Sequence, residues 1–439
     1  MSTILPNEVN YSVMGAVPNG TSSLQVNIAP SNGASFGLSA GSIITFDLPS
    51  IDGFLVPDSL SLRYKYTLTG AAESKIRGTP AYAPFSRLET IIGNQVAEII
   101  PDYNKILDMH TNTTQNVSQK YGNIGYGWRI DNDSASLNLE GLDSRHCEIG
   151  EVGSFSVPLV SLLSSCEKYV PLGAIGFGTR INLTLESLSN VFCPAAGVIA
   201  ADAANGVIAS AAIAVPTDMV LSDMILSFDV VKFSAEATNQ ILGSGPIIIK
   251  SNTYNATSQA IPLGTQGVVE LVYGQKMASM KSAFMHFSSN STNGKFDSYD
   301  VLGTNNGDIQ FSIGSRMYPA RPLSNSIGNR AMIFTSLKSA MGSIYSKNNS
   351  LSINNTEFYK PLGTASSCYS PAKHYVAINC QTIASNNVLL SGLNTESTTV
   401  NVRMNISSAT LAVCNATLIT ACDVLLEIDP ETRSVVVRK

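Results

Sequence analysis

Apolar and polar positions alternate with a period of two along much of the chain. In Val400–Ser407, Val400, Val402, Met404 and Ile406 fall on one face, and Asn401, Arg403, Asn405 and Ser407 on the other. That pattern predicts a strand with one buried and one wet face. The same grammar predicts strands at "SIITFDLPS" (42–50), "SLSLRYKYTLTG" (59–70), "GSFSVPLV" (153–160) and "TRINLTLESL" (179–188). It recurs at "SDMILSFDVVKF" (222–233), "IIIKSNTY" (247–254), "DIQFSIGSRMYP" (308–319), "KHYVAINCQTI" (373–383) and "DVLLEIDPETRSVVVRK" (423–439). In "PFSRLETIIGNQVAEII" two short strands flank Gly93-Asn94, a two-residue hairpin signal. The first two strands, joined by "IDGFLVPD", are expected to be neighbours, and "GVVELVYGQKMASMKSAFMHF" is expected to form a hairpin-like pair.

Helix signals are few and short. "PDYNKILDMHTNTT" offers Asp102 as a cap and Ile106, Leu107 and Met109 as an apolar face. In "SAEATNQILGSGP", Ser234 is a cap, Gly243 a terminator, and Pro246 blocks continuation. "NRAMIFTSLKSAMGSIYS" has helical spacing at Met332, Leu337, Met341 and Ile344. The short helix after Ser234 marks a joint between two similar β domains. Strands about every ten residues, separated by long loops, predict paired sandwiches.

Length agrees, since 439 residues exceed one ordinary core and suit roughly two domains of about 150–250 residues. Composition narrows the picture. Charged residues are 13%, against a usual share of roughly 25%. Ser, Thr, Asn and Gly take their place, which suits turns, wet strand faces and surfaces that end against other subunits. Net charge is −5, and the first 60 residues hold no Lys or Arg, so no basic arm for nucleic acid is present. "MSTILPNEVNYSV" has no basic start or long apolar run, so no secretory signal is expected there. The apolar window Pro194–Leu221 is broken by Asp, Gly and Asn and reads as an Ala-rich loop, not a membrane span.

Little in the sequence is reactive. The seven cysteines form no CxxC pair, so buried free thiols are expected instead of a disulfide framework. The four histidines, His110, His146, His286 and His374, make no familiar metal spacing. "SRHCE" (144–148) sets His beside Cys, but a nucleophile pair requires adjacency in space. "GAIGFG" (173–178) leads into a strand and so reads as a turn, without the helix N-terminus a phosphate would use. The acids of "DNDSASLNLEGLD" (131–143) miss the EF-hand spacing, and Trp128 with Tyr121 and Tyr126 reads as packing before a sugar platform. Glu89, Glu98, Asp102, Glu270 and Glu427 occupy strand or cap positions. No catalytic, cofactor-binding or metal residue is assigned, and an enzyme is not expected.

Several segments, in order, carry a resemblance. They are "PDSLSLRYKYTLTG", then "PFSRLETIIGNQVAEIIPDYNKILDM", then the strand, short helix, Gly-x-Gly-Pro and new strand of 222–254. Last come "LLSGLNTESTTVNVRMNISS" and "ATLITACDVLLEIDPETRSVVV". Together they resemble the double jelly-roll major capsid proteins of tailless icosahedral DNA viruses, a class that includes virophages, polinton-like and adenovirus-like elements, and membrane-containing bacterial viruses. The resemblance implies an all-β chain of two consecutive eight-stranded jelly-roll barrels with few short helices and long loops. It divides the chain into an arm and first strand (1–40), a first roll (41–233), a helical linker (234–245) and a second roll (246–439). It implies a homotrimeric, pseudo-hexagonal capsomer that tiles an icosahedral shell, assembled in the host cell and located in the virion. Implied partners are further copies of the chain, minor capsid or penton proteins, and an internal membrane where the virus has one, with no sequence-specific nucleic-acid binding. The loops around 121–150, 195–217 and 290–308 would form outward towers or clasp neighbours. The other class in view is a secreted or surface β-sandwich that binds carbohydrate, such as an adhesin. The absence of a signal sequence and of paired cysteines counts against it.

Overall fold

The computed structural model describes residues 20–70, 74–116, 119, 146–147, 152–194, 216–243, 245–289, 296–303, 307–326, 328–341, 351–353, 355–362, 372–382, 389–410 and 412–439. Trp128, the 131–143 acids and most of the Ala-rich window lie outside these residues, as does the segment before residue 20.

The alternation becomes strand wherever one face can be buried. In the first half the principal strands are β1 (Ser22–Ile28), β2 (Ile43–Leu48), β3 (Ser61–Thr69), β4 (Phe85–Ile92), β5 (Gln95–Pro101), β6 (Val152–Pro158), β7 (Thr179–Leu185) and β8 (Asp218–Lys232). In the second half they are β9 (Ile247–Ile261), β10 (Gly267–Tyr273), β11 (Met280–Ser289), β12 (Asp308–Ile313), β13 (Arg316–Ser324), β14 (Tyr375–Asn379), β15 (Val400–Ile406) and β16 (Cys414–Asp429). A last strand, β17 (Ser434–Arg438), folds back on the end of β16. The segment read as an arm supplies the first strand in two pieces, since β1 and a short continuation at Ser35–Gly37 both pair with β8.

Ranked by chain order within each half, the strands of one sheet run first–eighth–third–sixth and those of the other second–seventh–fourth–fifth. Both halves share this order, with every ladder between these strands antiparallel. That is the jelly-roll winding, made twice in one chain. The inward faces close on each other. Ile44, Phe46, Leu62, Tyr64, Tyr66, Ile181 and Leu183 are all buried in the first roll. There Tyr64 meets Phe85 edge-on at 5.5 Å, and its hydroxyl donates to the Ala81 carbonyl at 2.7 Å, so the buried phenol keeps a partner. In the second roll Val400, Val402, Met404 and Ile406 are buried as their alternation predicts.

Three expectations are corrected. "SIITFDLPS" and "SLSLRYKYTLTG" are not neighbours, because β2 and β3 lie in the two facing sheets; β10 and β11 are separated in the same way. Alternation tells which face of a strand is buried but not which strand lies beside it. Asp102 does not cap helix α1 (Tyr103–Thr114); its backbone is left-handed at φ 51°, and its carboxylate pairs with Lys105 at 2.9 Å. The chain leaves β5 and enters the helix within that one residue, so the side chain points away from the helix N–H groups. In the described part of the 290–308 connection, Phe296, Tyr299, Val301 and Leu302 are buried.

Other signals hold. Gly93 and Asn94 adopt φ of 56° and 69°, the left-handed pair that a two-residue hairpin needs. Ser234 caps α2 (Ala235–Leu242) by accepting from the Ala237 N–H at 3.3 Å. Helix α3 (Ala331–Ala340) forms, but Met332 of the expected face is exposed and Ile333 is buried in its place beside Leu337.

Leu183 lies fully buried between the sheets. Leu183→Ala is expected to lower unfolding free energy by about 2–5 kcal/mol in chemical denaturation. Lys65→Gln, which removes an exposed ion pair with Asp223 (2.7 Å), is expected to cost under about 1 kcal/mol.

Candidate functional site

Consecutive strands of each roll run in opposite directions, so its connections sort to two ends. One end, here the base, holds the β2–β3, β4–β5 and β6–β7 turns, helix α2, the start of β9 and the β16–β17 turn. The far end receives the longest connections, 102–151, 186–217 and 325–374. Of the segments expected to form towers, 121–150 and 195–217 belong to the first two of these connections and lie almost wholly outside the described residues.

The two rolls meet along a seam made by β5, the 159–169 connection and α1 on one side and mainly β9 on the other. Glu98 lies at its centre with no solvent exposure. The Leu162 N–H and the Thr90 hydroxyl donate to its Oε2 at 2.9 and 3.1 Å, and the Thr253 hydroxyl bonds Oε1. Burial pushes the Glu98 carboxyl above its ordinary range, against the pull of those hydrogen bonds. Beside it the Ser251 hydroxyl donates to the Leu162 carbonyl, and the Glu167 N–H to the Lys250 carbonyl at 2.9 Å. Lys250 and Lys281 flank the buried Asp423 at 3.8 and 3.5 Å. Asp423 also accepts from the Ser279 and Ser391 hydroxyls and from the Ser391 N–H. Nearer the far end, Tyr254 bonds His110 Nδ1 at 3.1 Å, and Ser352 donates to the Asn112 carbonyl.

The carboxylates weighed from sequence are dispersed, not convergent. Glu89 sits near Arg87 at 3.7 Å, Glu427 pairs with Arg438 at 2.9 Å, Asp102 with Lys105, and Glu270 lies exposed on β10 opposite Arg403 in register. Glu98 is sealed in the seam. His286 and His374 are buried, and desolvation lowers both, His286 to about 4. Among the described residues no group of three or more His, Cys, Asp or Glu could hold a metal ion. The side chains of Cys166, Cys380, Cys414 and Cys422 are free and buried. Burial pushes each of these thiols up to about 12, out of nucleophilic range.

The remaining feature is surface. Leu24, Val96, Phe177, Ile241, Ile248 and Val436 are exposed apolar side chains gathered at the base. The Gly173–Gly178 segment is a turn, as its sequence predicts. Gly176 donates its N–H to the Arg433 carbonyl at 2.9 Å, and Gly93 donates to the Gly178 carbonyl at 3.0 Å. A turn from the first roll is thereby pinned to turns of both rolls. Neither Phe177 nor the central place of Glu98 stood out in the sequence, since each occupies a segment already explained as a turn or a strand.

No protein-family model matches the chain, and no curated protein does. Solved structures do. The PBCV-1 virus capsid matches with a TM-score of 0.63 at 11% identity, over 97% of this chain and 98% of that one. The Faustovirus major capsid protein matches with a TM-score of 0.62 at 10% identity, over 98% and 93%. The mavirus major capsid protein matches at 0.52 and 10%, over 100% and 95%. At these identities the likeness is one of fold, and the fold is the double jelly roll of such capsid proteins.

Glu98→Ala is expected to cost more than about 3 kcal/mol in denaturation, because three donors lose their acceptor. Glu98→Gln keeps most of that bonding and is expected to cost less than the alanine change. The histidines set the pH response. An unfolded His binds a proton near pH 6.5, whereas folded His286 stays neutral down to about 4. The unfolded chain therefore holds more protons in that window, and stability falls as pH falls from about 6.5 toward 4. Glu98 acts oppositely: its contribution is full below the unfolded carboxyl value and is lost as pH rises through the raised folded value. Three histidines, His110, His286 and His374, are held low by burial against one raised carboxyl, so denaturation midpoints are expected to drop between pH 7 and 4. His286→Phe is expected to flatten that decline by about one proton.

Proposed function

We propose that the chain is a major capsid protein, the structural subunit that tiles an icosahedral virion shell. One observation carries this reading: two rolls of identical winding follow each other in a single chain, and the match spans nearly the whole of several capsid proteins. Two like rolls side by side make an elongated brick with two similar edges. Three such bricks around a three-fold axis give six similar edges, the shape that packs hexagonally. We take the rolls as residues 41–233 and 246–439 joined by 234–245, with the first roll also claiming Ser22–Ile28.

The low charge supports self-association, since buried interfaces disfavour unpaired charges. The far end, with its long connections, is the face for host or environment. The base is the face for the virion interior, including minor capsid proteins and, where one exists, an internal membrane. A mildly acidic chain with no early cations fits a shell that does not grip its genome directly. The role is architectural and not catalytic. Nothing among the structural neighbours supports the carbohydrate-binding alternative.

The test is solution mass and shape. Purified protein is expected to run by light scattering at about three times the 46.5 kDa chain mass, with a hexagonal outline in negative stain. A monomer at every concentration, or a monomer that binds glycans, would end this reading.

A further inference from the structure

The base carries a side chain that the isolated subunit does not use. Phe177 is 90% exposed and has a φ of 61°. A bulky residue in the left-handed region is an outlier, and glycine would sit there without strain. Its ring contributes almost nothing to burial in this subunit. Yet the turn is held rigidly by the two backbone hydrogen bonds to Arg433 and Gly93. Strain of this kind persists where surrounding structure imposes it, and it points to use.

Directly beside it lies an open cleft of about 440 Å³. Its apolar walls include Phe54, Phe233, Pro171 and Leu242, and Phe54 and Phe233 meet edge-on at 5.3 Å. Polar surface makes up the larger share of its lining, with Asp52, Thr238, Asn239 and Arg433 among the lining residues. The Pro171–Gly178 connection supplies both a wall of the cleft and the projecting ring. Arg433 borders both, since it is among the residues lining the cleft and its carbonyl holds Gly176. The turn carrying Phe177, "GAIGFG", has no charge to desolvate.

A knob next to a hole on one surface is self-complementary under a two-fold axis: each copy's knob enters the other's hole. From this arrangement we infer that Phe177 of one copy seats in the Phe54–Phe233 cleft of a second copy, as a two-fold contact between neighbouring capsomers along the inner rim where their bases adjoin. The contact is not within a trimer, because a three-fold ring needs a heterologous interface. In the cleft the ring gains edge-to-face aromatic partners. Each ring buries about 150–250 Å², so a reciprocal pair falls well short of the roughly 1,200 Å² of a stable interface. The contact is therefore weak between single chains and effective only when trimers present several at once, which permits reversible tiling.

The inference rests on the capsomer reading, and the experiment separates the two. Phe177→Gly relieves the backbone, so its denaturation midpoint is expected to equal or exceed wild type. Its trimer mass should be unchanged, while trimer–trimer association, followed by sedimentation against concentration, weakens at least tenfold. In parallel, Phe177→Cys and Thr238→Cys chains are prepared separately, mixed, and treated with a short bismaleimide. An inter-chain product in the mixture that neither chain gives alone supports the contact. Trimers of Phe177→Gly that associate like wild type, or a mixture that gives no product beyond the single-variant controls, overturn the inference and leave the capsomer intact. A wild-type protein that is monomeric throughout overturns the capsomer reading, and this contact with it.

Discussion

Glu98 lies out of reach of water, between two domains that each supply part of its hydrogen-bonding shell. The Thr90 hydroxyl and the Leu162 N–H come from the first roll and the Thr253 hydroxyl from the second. Sealing a carboxyl this way is tolerable only if it stays neutral or every lone pair is engaged. The rolls can thus meet in few registers, because sliding one along the other would strand these groups. The Asp423 cluster repeats the condition with charges: an acid at zero exposure sits between Lys250 and Lys281, and Lys250 also reaches Glu167 across the seam. Apolar contact alone would hold two barrels together without choosing one alignment. The polar groups of the seam choose it.

That alignment has consequences at both ends. Because the rolls are wound alike and start at the same end, the base collects tight turns from both. Gly93, Gly176 and Arg433 then come close enough to exchange backbone hydrogen bonds. Gly176 has little room: a Cβ there would lie 2.9 Å from the Arg433 carbonyl oxygen. The far end is built differently. Its connections are long, and part of their length is spent inward, as the buried Tyr103, Phe296 and Phe358 show. One end is a compact floor of tight turns, and the other carries the long connections.

Much of this was legible in the sequence. The strands at Val400–Ile406 and Thr179–Leu185 declared themselves because a sheet that is wet on one side imposes a strict period of two. The Gly93-Asn94 hairpin and the Ser234 cap were equally plain, since each depends on local backbone chemistry. What was not legible is what depends on distant parts of the chain. The partners of β2 and β3 were misjudged because a jelly roll separates consecutive strands into facing sheets, and no local signal encodes that. Asp102 was misread because a left-handed residue at the β5–α1 junction overrides a capping preference. Glu98 reads as an ordinary strand residue, and only the second roll, more than 150 positions later at Thr253, makes it buried. The resemblance to capsid proteins supplied the doubled roll that periodicity alone reduced to paired sandwiches.

The same distinction explains how the low charge matters. A chain with 13% charged residues has few means of keeping copies apart or of steering them together over distance. Ion pairs lie on the seam at Lys250 and Lys281 and across strands, as between Arg180 and Asp47 at 2.6 Å. In the proposed capsomer, specific association then comes from shape at short range, where apolar and uncharged polar surfaces discriminate by fit. Fit demands rigidity, because a flexible knob loses in ordering what it gains in contact. The turn that carries Phe177 has that rigidity already: two backbone hydrogen bonds fix it before any neighbour arrives. The backbone strain at that residue is small beside the entropy a loose loop would lose on docking, so the strained turn is the less costly way to present the ring.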